Sequence, residues 1–178
     1  LHHEEGVDLL PANLELSAME YNLMNAMSRE TTLRNYLSQV KDRYDFVLID
    51  CMPSLSMVTL NALSAADSVI IPVQAQFLAM RGMAKITSVI EIVKERLNPN
   101  LSIGGIVITQ FDKRKTLNKS VAEIINDSFC DKVFKTIVRD NVALAEAPIK
   151  GKNVFEYNKN CNGAKDYMAL AQEVLKLK

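Results

Sequence analysis

An apolar run ending in a carboxylate, Phe46-Val47-Leu48-Ile49-Asp50, followed by Cys51-Met52-Pro53-Ser54, is where the residue types of this chain could do chemistry. Read as a strand of a parallel sheet, the run sets Asp50 at its carboxyl end. Ligands of open α/β sheets sit there, and a carboxylate so placed can orient a hydrated magnesium ion beside a phosphate. This is a Walker B arrangement; the alternative use of Asp50 is to cap a helix starting near Ser54. The phosphate-binding loop that the first reading demands is not in the sequence. Glycines occur only at positions 6, 82, 104, 105, 151 and 163, and Gly151-Lys152 is followed by Asn153, with Glu146 where the loop's first glycine belongs. Gly104-Gly105 opens a strand instead of closing one, which points to a tight turn and not to a dinucleotide fingerprint.

A second cluster is Asp112-Lys113-Arg114-Lys115, with Lys119 a turn later. Consecutive cations on a loop and a helix start could meet DNA phosphates; the alternative is a solvated loop. Lysine plus arginine and aspartate plus glutamate both number 21, so the net charge is zero and any nucleic-acid contact must come from a local patch. Nucleophile chemistry has no support, because His2 and His3 stand without partners at the chain start and no cysteine or serine has a histidine base. Cys51, Cys130 and Cys161 are too few and too scattered for a disulfide frame or a zinc site, which makes a reducing cytoplasm the default expectation. The longest apolar runs, Val69 to Val73 and Ile103 to Thr109, fall far short of the ~20 residues of a membrane helix.

The elements that must position these groups follow from periodicity. With 178 residues, 48% of them hydrophobic, the chain can bury a core. Apolar, mostly β-branched runs at 7–10, 46–49, 69–73, 103–109 and 133–138 read as strands buried on both faces. Between them, Ser17 and Glu20 form a capping-box pattern before a Met-rich stretch in which Met19, Met24 and Met27 read as core. Helical stripes follow at Leu33, Leu37, Val40 and Tyr44; at Ile86, Val89, Ile90, Val93 and Leu97; and at Leu117, Val121, Ile124 and Ile125. A last helix from Ala164 to about Leu177 is expected to bury Tyr167, Leu170, Ala171, Val174 and Leu175. Asn98 to Asn100 and Pro148 to Asn153 read as turns. The alternation predicts an α/β fold, a mostly parallel sheet with helices on both faces.

The segment Asp45 to Ser54, with Thr59-Leu60-Asn61-Ala62-Leu63, Ala65-Ala66-Asp67 and Ile71-Pro72-Val73-Gln74, closely resembles the ParA/Soj family of plasmid and chromosome partitioning ATPases. The similarity is collinear from Leu10-Pro11 through Leu97-Asn98-Pro99, Thr109-Gln110-Phe111-Asp112 and Asn141 to Pro148. It ends at Tyr157, Gly163-Ala164, Tyr167 and Leu170-Ala171. The resemblance implies a P-loop NTPase-like fold that dimerises around ATP and Mg2+. It implies non-specific DNA binding by the homodimer, release by a ParB-like stimulating protein, and a cytoplasmic, nucleoid-associated location without membrane attachment. It makes Asp50 the Walker B aspartate, holding magnesium through water, and sets Pro53, Arg139 and Asn141 near the nucleotide. Arg114 matches an arginine that the family uses on DNA, with Lys113, Lys115 and Lys119 in support. A further family arginine falls on Ala143, leaving Arg139 and Lys150 as substitutes; Met52-Pro53 replaces the usual Pro-Pro.

On this resemblance residues 1–178 read as the C-terminal two thirds of a single ATPase domain, lacking the N-terminal phosphate-loop strand and helix, and inactive alone. Two alternatives remain. A MinD-like cell-division ATPase would end in a basic amphipathic helix on lipid, whereas the final helix here reads as docked. A non-catalytic module would bind only DNA or protein partners.

Overall fold

Parallel strands need a crossover helix between them, and the sequence supplies one. In the computed structural model β1 (Ser68–Gln74) and β2 (Ser102–Thr109) pair in parallel, joined across the 20-residue helix α3 (Phe77–Arg96). The structure describes residues 6–13, 15–16, 27–52, 54 and 56–177; the side chains of Met80 and Arg81 lie outside that description. The capping-box pair Ser17 and Glu20, with Met19, Met24, His2, His3 and Pro53, is therefore outside the described residues.

The chain divides into two compact units, one of residues Leu1–Ala66 with Val93–Asn100 and one of Asp67–Ile92 with Leu101–Lys178. In the first, α1 (Thr32–Leu37) and α2 (Met57–Ala65) are tied by polar side chains that reach backbone groups. Arg34 donates to the Ser64 carbonyl and hydroxyl and to the Leu97 carbonyl, while Asn61 donates to Arg29 and Met57 and accepts from the Leu33 N–H. Asn98 donates to the carbonyls of Leu63 and Ala66 and so closes the end of α2. Buried backbone groups must be paired, and three side chains perform that pairing where no sheet does.

In the second unit Ile71, Val73, Ile106, Ile108, Val121 and Ile125 are buried, each contributing about 1.5–3 kcal/mol through removal from water. Beyond β2 come α4 (Thr116–Phe129), α5 (Val142–Ile149), α6 (Val154–Asn158) and α7 (Asn162–Val174). Val107, Phe134 and Val138 form a cluster on which Ile70, Leu144, Leu170 and Val174 pack.

Several expectations are corrected. Residues 46–49 and 7–10 form no strand: the first run has no assigned secondary structure, with Leu48 84% exposed, and the second makes only an isolated bridge at Asp8. A strand is a product of its partners, and neither run has a ladder among the described residues. Residues 133–138 run parallel to β2 without forming a named strand: Val133 bridges Ile106, and the N–H groups of Phe134 and Val138 donate to the carbonyls of Ile106 and Ile108, with a second bridge just beyond, between Phe111 and Arg139. The stripe at 33–44 breaks after α1 into a 3₁₀ turn at Lys41–Arg43. Met27 is 96% exposed, and Leu117, Ile124, Tyr167, Ala171 and Leu175 also face solvent. Asn118, Ala122, Gly163, Ala164 and Asp166 take the buried places on α4 and α7. Pro148 and Ile149 are helical, so the turn begins only at Lys150.

Gly104 and Gly105 make no tight turn. They lie inside β2, where the pairing register slips between Val69 and Ile70 so that Gly104 has no partner of its own. At Gly105 a Cβ would meet the Phe134 ring at 2.3 Å, so the absence of a side chain is what lets the aromatic lie on the strand.

Candidate functional site

Asp50 follows the Phe46–Ile49 run in the first unit, exposed, and no hydrogen bond or ion pair among the described residues engages its carboxylate. It does not cap the following helix: α2 is capped by Ser56, whose side chain accepts from the Thr59 N–H at 3.4 Å. A single unengaged carboxylate suits magnesium, which keeps most of its water shell and takes one or two carboxylates beside phosphate oxygens. Among the described residues no cluster of three or more His, Cys, Asp or Glu could hold a metal without such help. Shielding of the sulfur, and after it the neighbouring Asp50 charge, push the Cys51 thiol above its ordinary value, which lowers its thiolate fraction.

The predicted cations sit in the second unit, after the carboxyl end of β2. The chain leaves the strand through Gln110 in the left-handed region (φ 50°), then turns so that the Lys115 N–H donates to the Asp112 carbonyl. Lys113, Arg114, Lys115 and Lys119 are all exposed. Asp112 organises the loop. One carboxylate oxygen accepts from the Arg114 N–H and Nε, each at 3.0 Å, and the other from Nη2 at 2.9 Å. The Arg114 side chain is 85% exposed and that of Asp112 only 10%. The guanidinium beside Asp112 holds its carboxyl well below the usual carboxylate range.

Asp112 is itself fixed. Its N–H donates at 2.9 Å to Asn118, whose amide nitrogen donates at 2.7 Å to the carbonyl of Ala75, just beyond β1. With 5% exposure, Asn118 is a buried relay between the end of β1 and the cation loop.

Arg139 and Asn141 lie beside this loop. Phe111 and Arg139 form a parallel bridge, the Phe111 N–H donates to Val138 and the Asp140 N–H to Phe111. The Arg139 side chain grips Asp166 of α7, Nε at 2.9 Å and Nη2 at 2.6 Å, and its N–H reaches the same carboxylate at 3.0 Å. Burial raises the Asp166 carboxyl, but the Arg139 side chain and N–H outweigh it and leave the group below its ordinary value. Asn141 caps α5, accepting from the Ala143 N–H at 3.1 Å. Lys150 is exposed at the end of that helix.

Two further carboxylates position backbone. Glu173 accepts from the N–H groups of Lys135 and Thr136 and from the Thr136 hydroxyl, which pins 133–138 to α7; Glu146 accepts from the Tyr157 hydroxyl. Sequence reasoning named Asp112 only as a member of the charged cluster, without its hold on Arg114, and missed Asn118, Asp166 and Glu173. Only Asp112 carried a local signal, since an aspartate two residues before an arginine can close an Asx turn. A groove of about 370 Å³ between α6 and α7, lined by Phe155, Lys159, Lys165 and Met168, contains none of the predicted site residues. No helix among the described residues is long and apolar enough to cross a membrane.

Comparison with known proteins places the chain. The sequence matches the AAA domain family over residues 2–103. It is 41% identical over 170 residues to the sporulation initiation inhibitor protein Soj of Bacillus subtilis, covering 96% of this chain and 67% of that protein. It is 40% identical over 172 residues to the chromosome partitioning protein ParA of Caulobacter vibrioides, covering 96% and 64%. Among solved structures, cobyrinic acid a,c-diamide synthase from Mycobacterium smegmatis with bound ADP and magnesium superposes with a TM-score of 0.83 at 31% identity, covering 99% of this chain and 65% of that one. The chain thus spans about two thirds of the length of these relatives. On fold and sequence together, the chain belongs to the ParA/Soj family of partitioning ATPases.

Proposed function

We propose that this chain carries the magnesium-orienting carboxylate and the DNA-facing loop of an ATPase that partitions plasmids or chromosomes. In this reading the protein binds ATP with Mg2+, dimerises, holds DNA without sequence preference on the nucleoid, and is released by a ParB-like partner. Bound magnesium would neutralise phosphate charge; Asp50 would hold its water shell in place, and Pro53, Arg139 and Asn141 would lie by the nucleotide. The solved relative with ADP and magnesium supports the nucleotide part of the reading.

The observation that carries the DNA part is the loop after β2. Arg114, Lys113, Lys115 and Lys119 are exposed together on a neutral protein, beside one carboxylate that is itself largely covered. Such a patch supplies phosphate contacts, which position a protein on DNA but carry no sequence information. The test uses protein expressed from the complete reading frame, titrated with ATP and Mg2+ onto two unrelated duplexes at several salt concentrations. Arg114→Ala is expected to weaken binding equally on both and to lower the salt slope by about one. Unchanged affinity and slope would leave the loop as ordinary solvated surface.

A further inference from the structure

The Arg114 fork has five N–H donors, and Asp112 uses only its Nε edge and one hydrogen of Nη2. Three donors remain, two on Nη1 and one on Nη2, all on the end of a side chain that is 85% exposed. This edge is the one that can meet two oxygens of a phosphate at once. The carboxylate holding the other edge is itself held: one of its oxygens also accepts from the Arg114 N–H, and the Asp112 backbone is anchored through its own N–H to Asn118 and from there to Ala75. Hydrogen bonds thus tie Ala75, Asn118, Asp112 and the guanidinium in sequence, through the backbone of Asp112 on one side and its carboxylate on the other.

We propose that Asp112 is a positioning residue for nucleic-acid phosphate: it clamps the side edge of Arg114 so that the end edge is presented, already ordered, to one phosphate of the backbone. This inference rests on the DNA reading above and adds to it a carboxylate that strengthens the binding of a polyanion. Simple electrostatics gives the opposite sign, since removing a negative charge from a cationic patch raises its attraction for phosphate. Preorganisation opposes that. A free arginine loses most of its rotamer freedom on binding, and a clamp that has already taken this loss improves affinity by about three- to tenfold.

The decisive variant is Asp112→Asn. It keeps the size of the side chain and an oxygen that accepts from the Arg114 N–H, so the turn survives, but it gives up the charged clamp. In protein from the complete reading frame, with ATP and Mg2+, Asp112→Asn is expected to weaken binding to two unrelated duplexes about three- to tenfold while leaving the salt slope unchanged. In an Arg114→Ala background the same change is expected to do nothing or to strengthen binding slightly. That coupling separates positioning from a general structural role, which would weaken binding in both backgrounds. If Asp112→Asn binds DNA as well as or better than the parent while Arg114→Ala binds worse, the clamp is refuted and the DNA reading stands. Equal weakening with and without Arg114 also refutes it. If Arg114→Ala has no effect, both readings fall together.

Discussion

Replacing the buried relay Asn118 separates its two hydrogen bonds by their energetic weight. Asn118→Leu keeps the approximate volume and removes both bonds. The Ala75 carbonyl is left unpaired in a buried site, at about 2 kcal/mol, and the Asp112 N–H, which is only partly buried and can recover water, at about 1 kcal/mol. Burial of the new apolar side chain returns about 1 kcal/mol, so the net loss is about 2 kcal/mol. For a chain of this length that lowers Tm by about 4–8 °C. Asn118→Asp keeps the acceptor for Asp112 but turns a carboxylate oxygen onto the Ala75 carbonyl. Burial raises the folded-state pKa of the new acid, so in that variant the folded protein binds more protons than the unfolded one between the two values. Its deficit is therefore largest at pH 7 and shrinks as the pH falls towards 4, where the protonated acid donates to Ala75. The assay is urea unfolding of parent and both variants at pH 7 and pH 5. A leucine variant as stable as the parent, or an aspartate variant with the same deficit at both pH values, would refute the relay.

Two other outcomes follow from the packing and the charges. Gly105→Ala is expected to cost about 1–3 kcal/mol by driving a methyl into the Phe134 ring, and Phe134→Leu to recover part of that loss; strictly additive unfolding energies in the double variant would exclude the clash. Asp166 and Glu173 are both held below their ordinary values of 3.8 and 4.5, burial being outweighed by Arg139 in one case and by Thr136 and two N–H groups in the other. The unfolded chain then binds more protons, so their stabilisation is complete above about pH 4.5 and is lost as the pH falls through the lower folded-state values. Asp166→Asn and Glu173→Gln are expected to lower the urea midpoint at pH 7 and to flatten its decline below pH 4.5; a parent midpoint unchanged from pH 5 to pH 3 would contradict this.

The two strands with a partner, Val69–Val73 and Ile103–Thr109, were legible in the sequence because continuous β-branched runs have few other uses. So was the helix after Phe77, whose Ile90 and Val93 face inward. The same signal at Phe46–Ile49 did not yield a strand, since a run of apolar residues reports a propensity and a ladder needs a neighbour. The exposed faces of α4 and α7 were misread for a related reason. Periodicity finds an apolar stripe but cannot tell that Asn118 and Asp166 will take the buried positions, because their burial depends on partners at Ala75 and Arg139, 43 and 27 residues away in the chain. The cations of the loop were visible as charges. What holds them was not, as hydrogen-bond direction is a property of the turn and not of its composition.

The Phe46–Leu48 stretch also bears on how the protein can be handled. Three consecutive apolar residues, unladdered and exposed, form the kind of window that recruits a second chain edge to edge, and Asp45 and Asp50 bracket it with negative charge. Asp50, the residue proposed above to orient magnesium, is also one of the two charges that would oppose such pairing. An Asp50→Ala variant made to test the proposed magnesium role removes that charge at the same stroke. Its soluble fraction has to be measured beside its activity, and Asp50→Asn, which is uncharged but polar, is the better matched comparison.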